Sequence, residues 1–362
     1  MSLGIVDCDV HPLVTGGLGA LFPYFDQNWR KRLEPRKHID PFGPSIGQPP
    51  HFVGSGSNRV DAIPPSGGLA GSDAAFLAHD LLDKHGIDIA VLLPFQPARL
   101  DGWKDADEAA ILASAYNSYF VEHWLGVDPR FRLAMVVAPQ DPVLAAKEIR
   151  RLSSTQGVVG VWVPPIEYNI GYRYYNPIFE AAQEAGLPIV LHVSASPHQS
   201  SRPGRSTVAE YYAAISAIGI NELCSLIFEG ALSRFPMLKV VFVEYGWTWV
   251  PSMVWRLDQT WKSARPSVPY VLKPPSEYIL ERVRFTSEPA IDVPNEDYLR
   301  SILEMMRADR TLLFSSDYPH WDSDAPETVF KNISADLRHR IFWANAVETF
   351  GDRLLAGVPA AV

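Results

Sequence analysis

Cysteine is nearly absent: the 362-residue chain carries Cys8 and Cys224 and no others. Two thiols so far apart build no disulfide framework, which removes the small disulfide-stapled secreted classes and points to a reducing compartment. Long apolar runs are missing too, none reaching the roughly 18 residues that a membrane-spanning helix requires. There is no extended basic tract, and the net charge is −9, so a nucleic-acid surface is not expected. A secretory leader is not expected, because the sequence enters an apolar strand within a few residues. Short-period repeats and low-complexity tails are also lacking. The expectation is a soluble cytoplasmic protein that handles a small molecule, with neither nucleic acid nor membrane as partner.

What is present is ordinary globular material, 47% hydrophobic and 20% charged, enough for one large core. Short apolar runs alternate with stretches of helical period. A first strand leads into Asp7-Cys8-Asp9-Val10-His11. Further strands are predicted at residues 87–93, 132–137, 158–163, 189–193, 239–243, 283–286 and 312–315. Helical text follows each, at 73–84, 106–125, 142–153, 176–185, 206–235, 250–262 with 276–280, 295–306, and 326–340 with 341–350. Continuous apolar strands suit a parallel sheet covered on both faces, and eight such units suit closure. The predicted fold is therefore an α/β (β/α)8 TIM barrel, a single domain over 1–362. Residues 13–72, dense in Gly and Pro, form a long insertion after strand 1, read as a lid, a substrate-binding excursion or an oligomer arm. That insertion, with amphipathic outer helices, leads to the expectation of a homo-oligomer.

Barrel enzymes place their chemistry at the carboxyl ends of the strands. Asp9 and His11 end strand 1; strand alternation sets Asp7 on the same face, but deeper in the strand, where it also reads as a structural hydrogen-bond acceptor. Cys8 faces the other way and reads as a small buried side chain. His192 ends strand 5, Glu244 follows strand 6 and Asp317 follows strand 8. Closure brings strands 1 and 8 together, so residues remote in sequence converge. Two imidazoles with carboxylates suit a divalent ion, Zn²⁺, Mn²⁺ or Fe²⁺. The predicted metal ligands are Asp9, His11, His192 and Asp317. The predicted catalytic residues are Glu244, Asp317 and His320, with a spare carboxylate to move a proton. Arg99, Arg173, Arg202 and Arg205 are candidate carboxylate clamps, and Trp162, Tyr168, Trp247 and Trp249 candidate apolar walls. His198 reads as a loop residue.

These motifs resemble the amidohydrolase-related family of metal-dependent barrel enzymes, which includes aminocarboxymuconate semialdehyde decarboxylase and γ-resorcylate decarboxylase. The likeness rests on Asp9-Val10-His11, His192, Ser316-Asp317-Tyr318-Pro319 and Asn345-Ala346, and it spans essentially the whole chain. Two departures stand out. The first ligand position holds Asp9 rather than His or Glu, which gives Mn²⁺ and Fe²⁺ weight against Zn²⁺. Glu244 stands where the decarboxylases carry a histidine. Three enzymatic readings stay open, beside a scaffold or binding protein that keeps a vestigial metal, which the intact Asp9, His11, His192 and Asp317 set disfavours. The first is a hydrolase working through metal-activated water. The second is a nonoxidative decarboxylase of an aromatic or unsaturated acid. The third is a dinuclear Fe or Mn oxygenase, or its partner subunit, with one or two metals per chain.

Overall fold

The structure, a computed structural model, describes residues 4–39, 58–164, 166–193, 208–290 and 293–358. Eight parallel strands form one sheet in sequential order: β1 (Val6–Val10), β2 (Ile89–Leu92), β3 (Phe131–Val136), β4 (Val158–Trp162), β5 (Ile189–His192), β6 (Val240–Val243), β7 (Val283–Thr286) and β8 (Leu312–Leu313). The ring closes through backbone bonds between β1 and the segment after β8. Cys8 N donates to Phe314 O at 3.0 Å, Asp317 N to Asp9 O at 3.0 Å, and His11 N to Tyr318 O at 2.8 Å. The fold is the expected α/β TIM barrel.

Two apolar clusters show how the strand sequence makes this shape. Alternate strand residues such as Val6, Ile89, Val91, Val159, Val241 and Leu313 fill the barrel. The intervening residues, among them Ala90, Leu92, Leu133, Ile189, Phe242 and Phe285, pack against the helices outside. A strand buried on both faces has no polar side to display, which is why these segments read as unbroken apolar runs. Helices begin where polar side chains satisfy the first backbone N–H groups. Asp105 caps Ala106–His123, Asp141 caps Pro142–Leu152 and Asn295 caps Glu296–Met305.

Several boundaries differ from the sequence expectation. β8 is only two residues long, because Phe314–Asp317 turn their backbone bonds to β1, β7 side chains and the C-terminal helices instead. The helical stretch at 206–235 is observed as Val208–Phe228 and Ala231–Arg234, broken at Gly230, whose φ is +73°. Within 326–350, helix starts only at Ala335.

The insertion after β1 contains a 3-10 stretch, Gly17–Tyr24, and a short helix, Gln27–Leu33. Its far end returns to the strand ends. Asn58 bridges His320 and Arg59 N donates to Pro319 O at 2.9 Å. Gly71 then lies so close to β1 that a Cβ would stand 2.5 Å from His11 O, and its φ is +80°. Only glycine fits there. No helix among the described residues is long and apolar enough to cross a membrane.

Candidate metal centre and active site

The strand ends converge as the sequence predicts. Asp9, His11, His192 and Asp317, all buried, each offer a ligand atom, and these atoms lie within 4.8 Å of one another. Ligands about 2.1 Å from a shared ion sit up to roughly 4.2 Å apart, so the set needs only slight contraction to hold one. His11 Nδ1 donates to Leu93 O at 2.8 Å, and His192 Nδ1 is bonded to Val193 O. These bonds set the tautomers and turn both Nε2 atoms inward. His11 Nε2 lies 2.8 Å from Asp317 Oδ1 and 3.2 Å from Asp9 Oδ1. His192 Nε2 lies 3.5 Å from Asp9 Oδ2 and 3.2 Å from Glu244 Oε2. Neither oxygen of Asp9 accepts a hydrogen bond among the described residues. A buried carboxylate without donors is costly unless a cation answers it, and a divalent ion held by these side chains would do so.

Electrostatics in the site follow from burial and neighbours. Burial alone would lower His11, but Asp9 and Asp317 outweigh it and lift its pKa to about 9. Burial would likewise raise Asp317, yet His320 and His11 hold it below the usual carboxylate range. His320 Nδ1 lies 2.7 Å from both oxygens of Asp317, within proton-transfer distance. Glu244 is pushed well up, first by burial and then by the charges of Asp317 and Asp9.

Glu244 and Asp317 each follow a strand with positive φ, 63° and 61°. That region is unfavourable for a side chain bearing a Cβ, and it persists where surrounding structure enforces it. Here Glu244 N donates to Thr286 Oγ1 at 3.1 Å and Asp317 N to Asp9 O, so both acids are pinned by neighbouring strands.

Asp7 takes the structural role. The β1–β2 register shifts between Asp7 and Val10, and Asp7 joins neither ligand group. Its Oδ1 instead accepts from Ser316 N at 2.9 Å and Asp9 N at 3.2 Å, sealing β1 to the β8 segment. Burial lifts its pKa to about 7. Cys8 is buried and belongs to no ligand group.

Glu288, just after β7, was not singled out in the sequence. It is 1% exposed, and one of its oxygens lies within 4.8 Å of ligand oxygens of Glu244 and Asp317. Ser315 Oγ accepts from Glu288 N at 3.0 Å and fixes its backbone. The only signal available was an acid two residues past a strand, and the following Pro289 makes that stretch read as an exposed turn. Phe95 was missed as well. Its ring packs edge-on against His11, His192 and His320 at 5.3, 5.8 and 5.5 Å.

The candidate walls have other work. Trp162 is fully buried with its ring 5.2 Å from His192, so it backs that imidazole. Trp247 Nε1 donates to Ser287 O at 3.0 Å, and Trp249 Nε1 to Tyr245 O and Gly246 O, bracing the turn that carries Glu244. Tyr168 is exposed and stacks on Tyr172. Arg173 is exposed on the turn Arg173–Tyr175, and Arg99 lies half-buried after β2. His198, Arg202 and Arg205 fall outside the described residues. A cavity of about 710 Å³ opens between Trp247, Ala290, Leu299 and Phe330, apart from the Asp/His cluster.

A family model described as amidohydrolase matches residues 6–351, from the first residue of β1 through the C-terminal helix. This chain belongs to the amidohydrolase family. Among its curated relatives is the γ-resorcylate decarboxylase of Polaromonas sp. (strain JS666 / ATCC BAA-500), 28% identical over 286 residues, which cover 75% of this chain and 85% of the relative. Another is the 2-amino-3-carboxymuconate-6-semialdehyde decarboxylase of Dictyostelium discoideum, 24% identical over 75% of this chain and 74% of the relative. A crystal structure of 5-carboxyvanillate decarboxylase from Novosphingobium aromaticivorans DSM 12444, complexed with manganese and a nitrobenzoic acid, shares the fold. Its TM-score is 0.71, at 19% identity over 96% of each chain. Like these members of the amidohydrolase family, the chain is an enzyme.

Proposed function

We propose that this amidohydrolase-family member catalyses the nonoxidative decarboxylation of a small aromatic or unsaturated carboxylic acid, with a divalent metal held by Asp9, His11, His192 and Asp317. The observation that carries the reading is the Asp317–His320 pair at the edge of this cluster, in a chain whose named curated relatives are decarboxylases. A divalent ion in the site supplies a Lewis acid for the substrate's oxygen atoms. The chain's own residues do the rest. Phe95, half-buried and edge-on to three imidazoles, offers a flat apolar contact for a ring. Loss of carbon dioxide leaves an electron pair on the substrate carbon, and a proton must arrive there. His320 Nδ1 stands 2.7 Å from both Asp317 oxygens, which orients the imidazole so that it can deliver a proton to that carbon and recover one from water. Burial of the cluster keeps bulk water from that carbon.

A second reading, hydrolysis, is favoured by one observation. Glu244 stands 3.2 Å from His192 Nε2, and burial raises its proton affinity, which suits a base that takes a proton from water. The two readings separate in one experiment. Enzyme loaded with Mn²⁺ or Zn²⁺ is incubated with hydroxybenzoates and unsaturated acids, and with lactones, esters and amides, following carbon dioxide and acid release. Carbon dioxide release that falls roughly 100-fold or more in Asp317→Asn and His320→Gln supports the decarboxylase. Acid release without carbon dioxide, abolished in Glu244→Gln, supports hydrolysis.

A further inference from the structure

The cavity beside Trp247 takes no part in the proposed reaction. It encloses about 710 Å³ between the segments that follow β7 and β8, against the helix Glu296–Met305. Small-molecule sites run from roughly 300 to 1,000 Å³, are mostly apolar and carry a few polar groups that fix orientation. The floor here is apolar. It is made by Trp247, Leu303, Val329 and Phe330, each at most 7% exposed, with Leu299 and Leu337 half-buried along the sides.

The hollow is built into packed elements. Phe330 has a φ of +52°, a region that a bulky residue occupies only where its surroundings enforce it. Its ring stands 5.8 Å from that of Trp247 and 6.5 Å edge-on from Phe342, so packing supplies that constraint. The walls are pinned as well. Asp324 Oδ2 accepts from Ala290 N at 2.9 Å, joining the two segments, and Trp247 Nε1 donates to Ser287 O.

The rim sets the charge of the ligand. Glu296 and Asp324 balance Arg300 and Lys331 in formal charge, but the two pairs differ in what they already hold. Glu296 accepts from the Asn332 amide and Asp324 from Ala290 N. Lys331 is exposed and has no acid partner among the described residues. Arg300 meets Asp297 at 3.4 Å with both side chains more than two-thirds exposed, a pairing that contributes little. The acids of the rim are engaged, and its cations are open to a new acceptor.

We propose that this cavity binds an amphipathic monocarboxylic acid, its hydrocarbon part on the Trp247–Phe330 floor and its carboxylate at Lys331 and Arg300. The site shares no residue with the Asp/His cluster and does not depend on which reaction the enzyme performs. Burial of the hydrocarbon supplies most of the affinity, and the exposed cations supply the preference for an acid.

Octanoate is the probe, with octanol as its uncharged counterpart. Full-length protein is titrated by calorimetry, with circular dichroism and light scattering on the same samples. One octanoate per wild-type chain is expected, bound more tightly than octanol. Leu299→Trp and Leu303→Trp, which fill the hollow from its side and its floor, should weaken octanoate binding roughly tenfold or more. Lys331→Gln, an exposed change that spares the fold, should weaken it about two- to fivefold and remove most of the preference over octanol. His192→Ala should bind octanoate as the wild type does. No saturation of the wild type at about 10 mM octanoate overturns the site. Binding that is lost in His192→Ala and kept in folded Leu299→Trp and Leu303→Trp also overturns it, because the carboxylate then sits at the metal centre. A changed oligomeric state in the two Trp variants, with octanoate binding intact, gives the cavity to a second copy of the chain and overturns it too.

Discussion

His11 shows how much one side chain can be asked to do. Its Nδ1 is committed to Leu93 O, its Nε2 faces Asp9 and Asp317, and its pKa is raised to about 9. Without a metal, the imidazole therefore carries a proton across neutral pH and is itself the cation between the two carboxylates. A metal must displace that proton, because only neutral imidazole ligates. The sign follows directly: below pH 9 the competing proton is bound, so apparent metal affinity rises with pH and levels off above it. Roughly a tenfold gain per pH unit is expected between pH 6.5 and 8.5 for each proton displaced. Calorimetric Mn²⁺ titrations in buffers of different ionisation enthalpy would count that proton. An affinity independent of pH would show that His11 enters the site already neutral.

Among the elements, the strand ends were the most legible and the segments beyond them the least. Asp9, His11, His192 and Asp317 stood out because each polar residue interrupts or closes an apolar run, and in a closed parallel barrel all such ends face one way. Glu288 did not, since an acid between a serine and a proline looks like a solvated turn until β6 and β8 are packed on either side of it. Asp7, deeper in β1, accepts backbone hydrogen bonds from Asp9 and Ser316, the structural role that its depth in the strand suggests. The Asn345-Ala346 motif acquires its physical cause from the same packing. Asn345 is fully buried, and its amide donates to Ala308 O at 3.0 Å and Leu312 O at 2.8 Å, tying the C-terminal helix Asn345–Phe350 to the start of β8. Asn345→Ala strands those carbonyls and should cost about 1–3 kcal/mol in chemical denaturation. Asn345→Asp, which sets an acceptor against two acceptors, should cost more. Equal stability of all three proteins would mean that these bonds are replaced by water.

For the whole molecule, hydrogen bonds tie the strand ends into one collar, and binding of an ion there would be linked to the stability of the fold. Backbone and side-chain bonds join β6 to β7, β7 to β8 and β8 to β1 around the buried acids. An ion that binds this collar and not the unfolded chain stabilises the fold by about 4 kcal/mol at a thousandfold excess over its Kd. For a chain of this length that corresponds to roughly 5 °C in Tm. Stripping the metal should therefore lower Tm by several degrees, and adding Mn²⁺ should restore it in the wild type. His192→Ala should show little response. An unchanged Tm after chelation would argue that the buried charges are answered by protons alone.

The amino-acid sequence by itself determined the barrel and which polar residues gather at its strand ends, because strand period and the position of polar residues at the ends of apolar runs are local properties. It also carried the family likeness, through motifs spread from Asp9 to Asn345. What only the tertiary structure decided is which carboxylates share a space and which are left without partners. Asp7 went to the seam between β1 and β8, Trp162 went behind His192, and Glu288 joined Glu244 and Asp317. The physical reason is that charge neutralisation in a buried site depends on distances between strands that are far apart in sequence, and those distances exist only once the ring has closed.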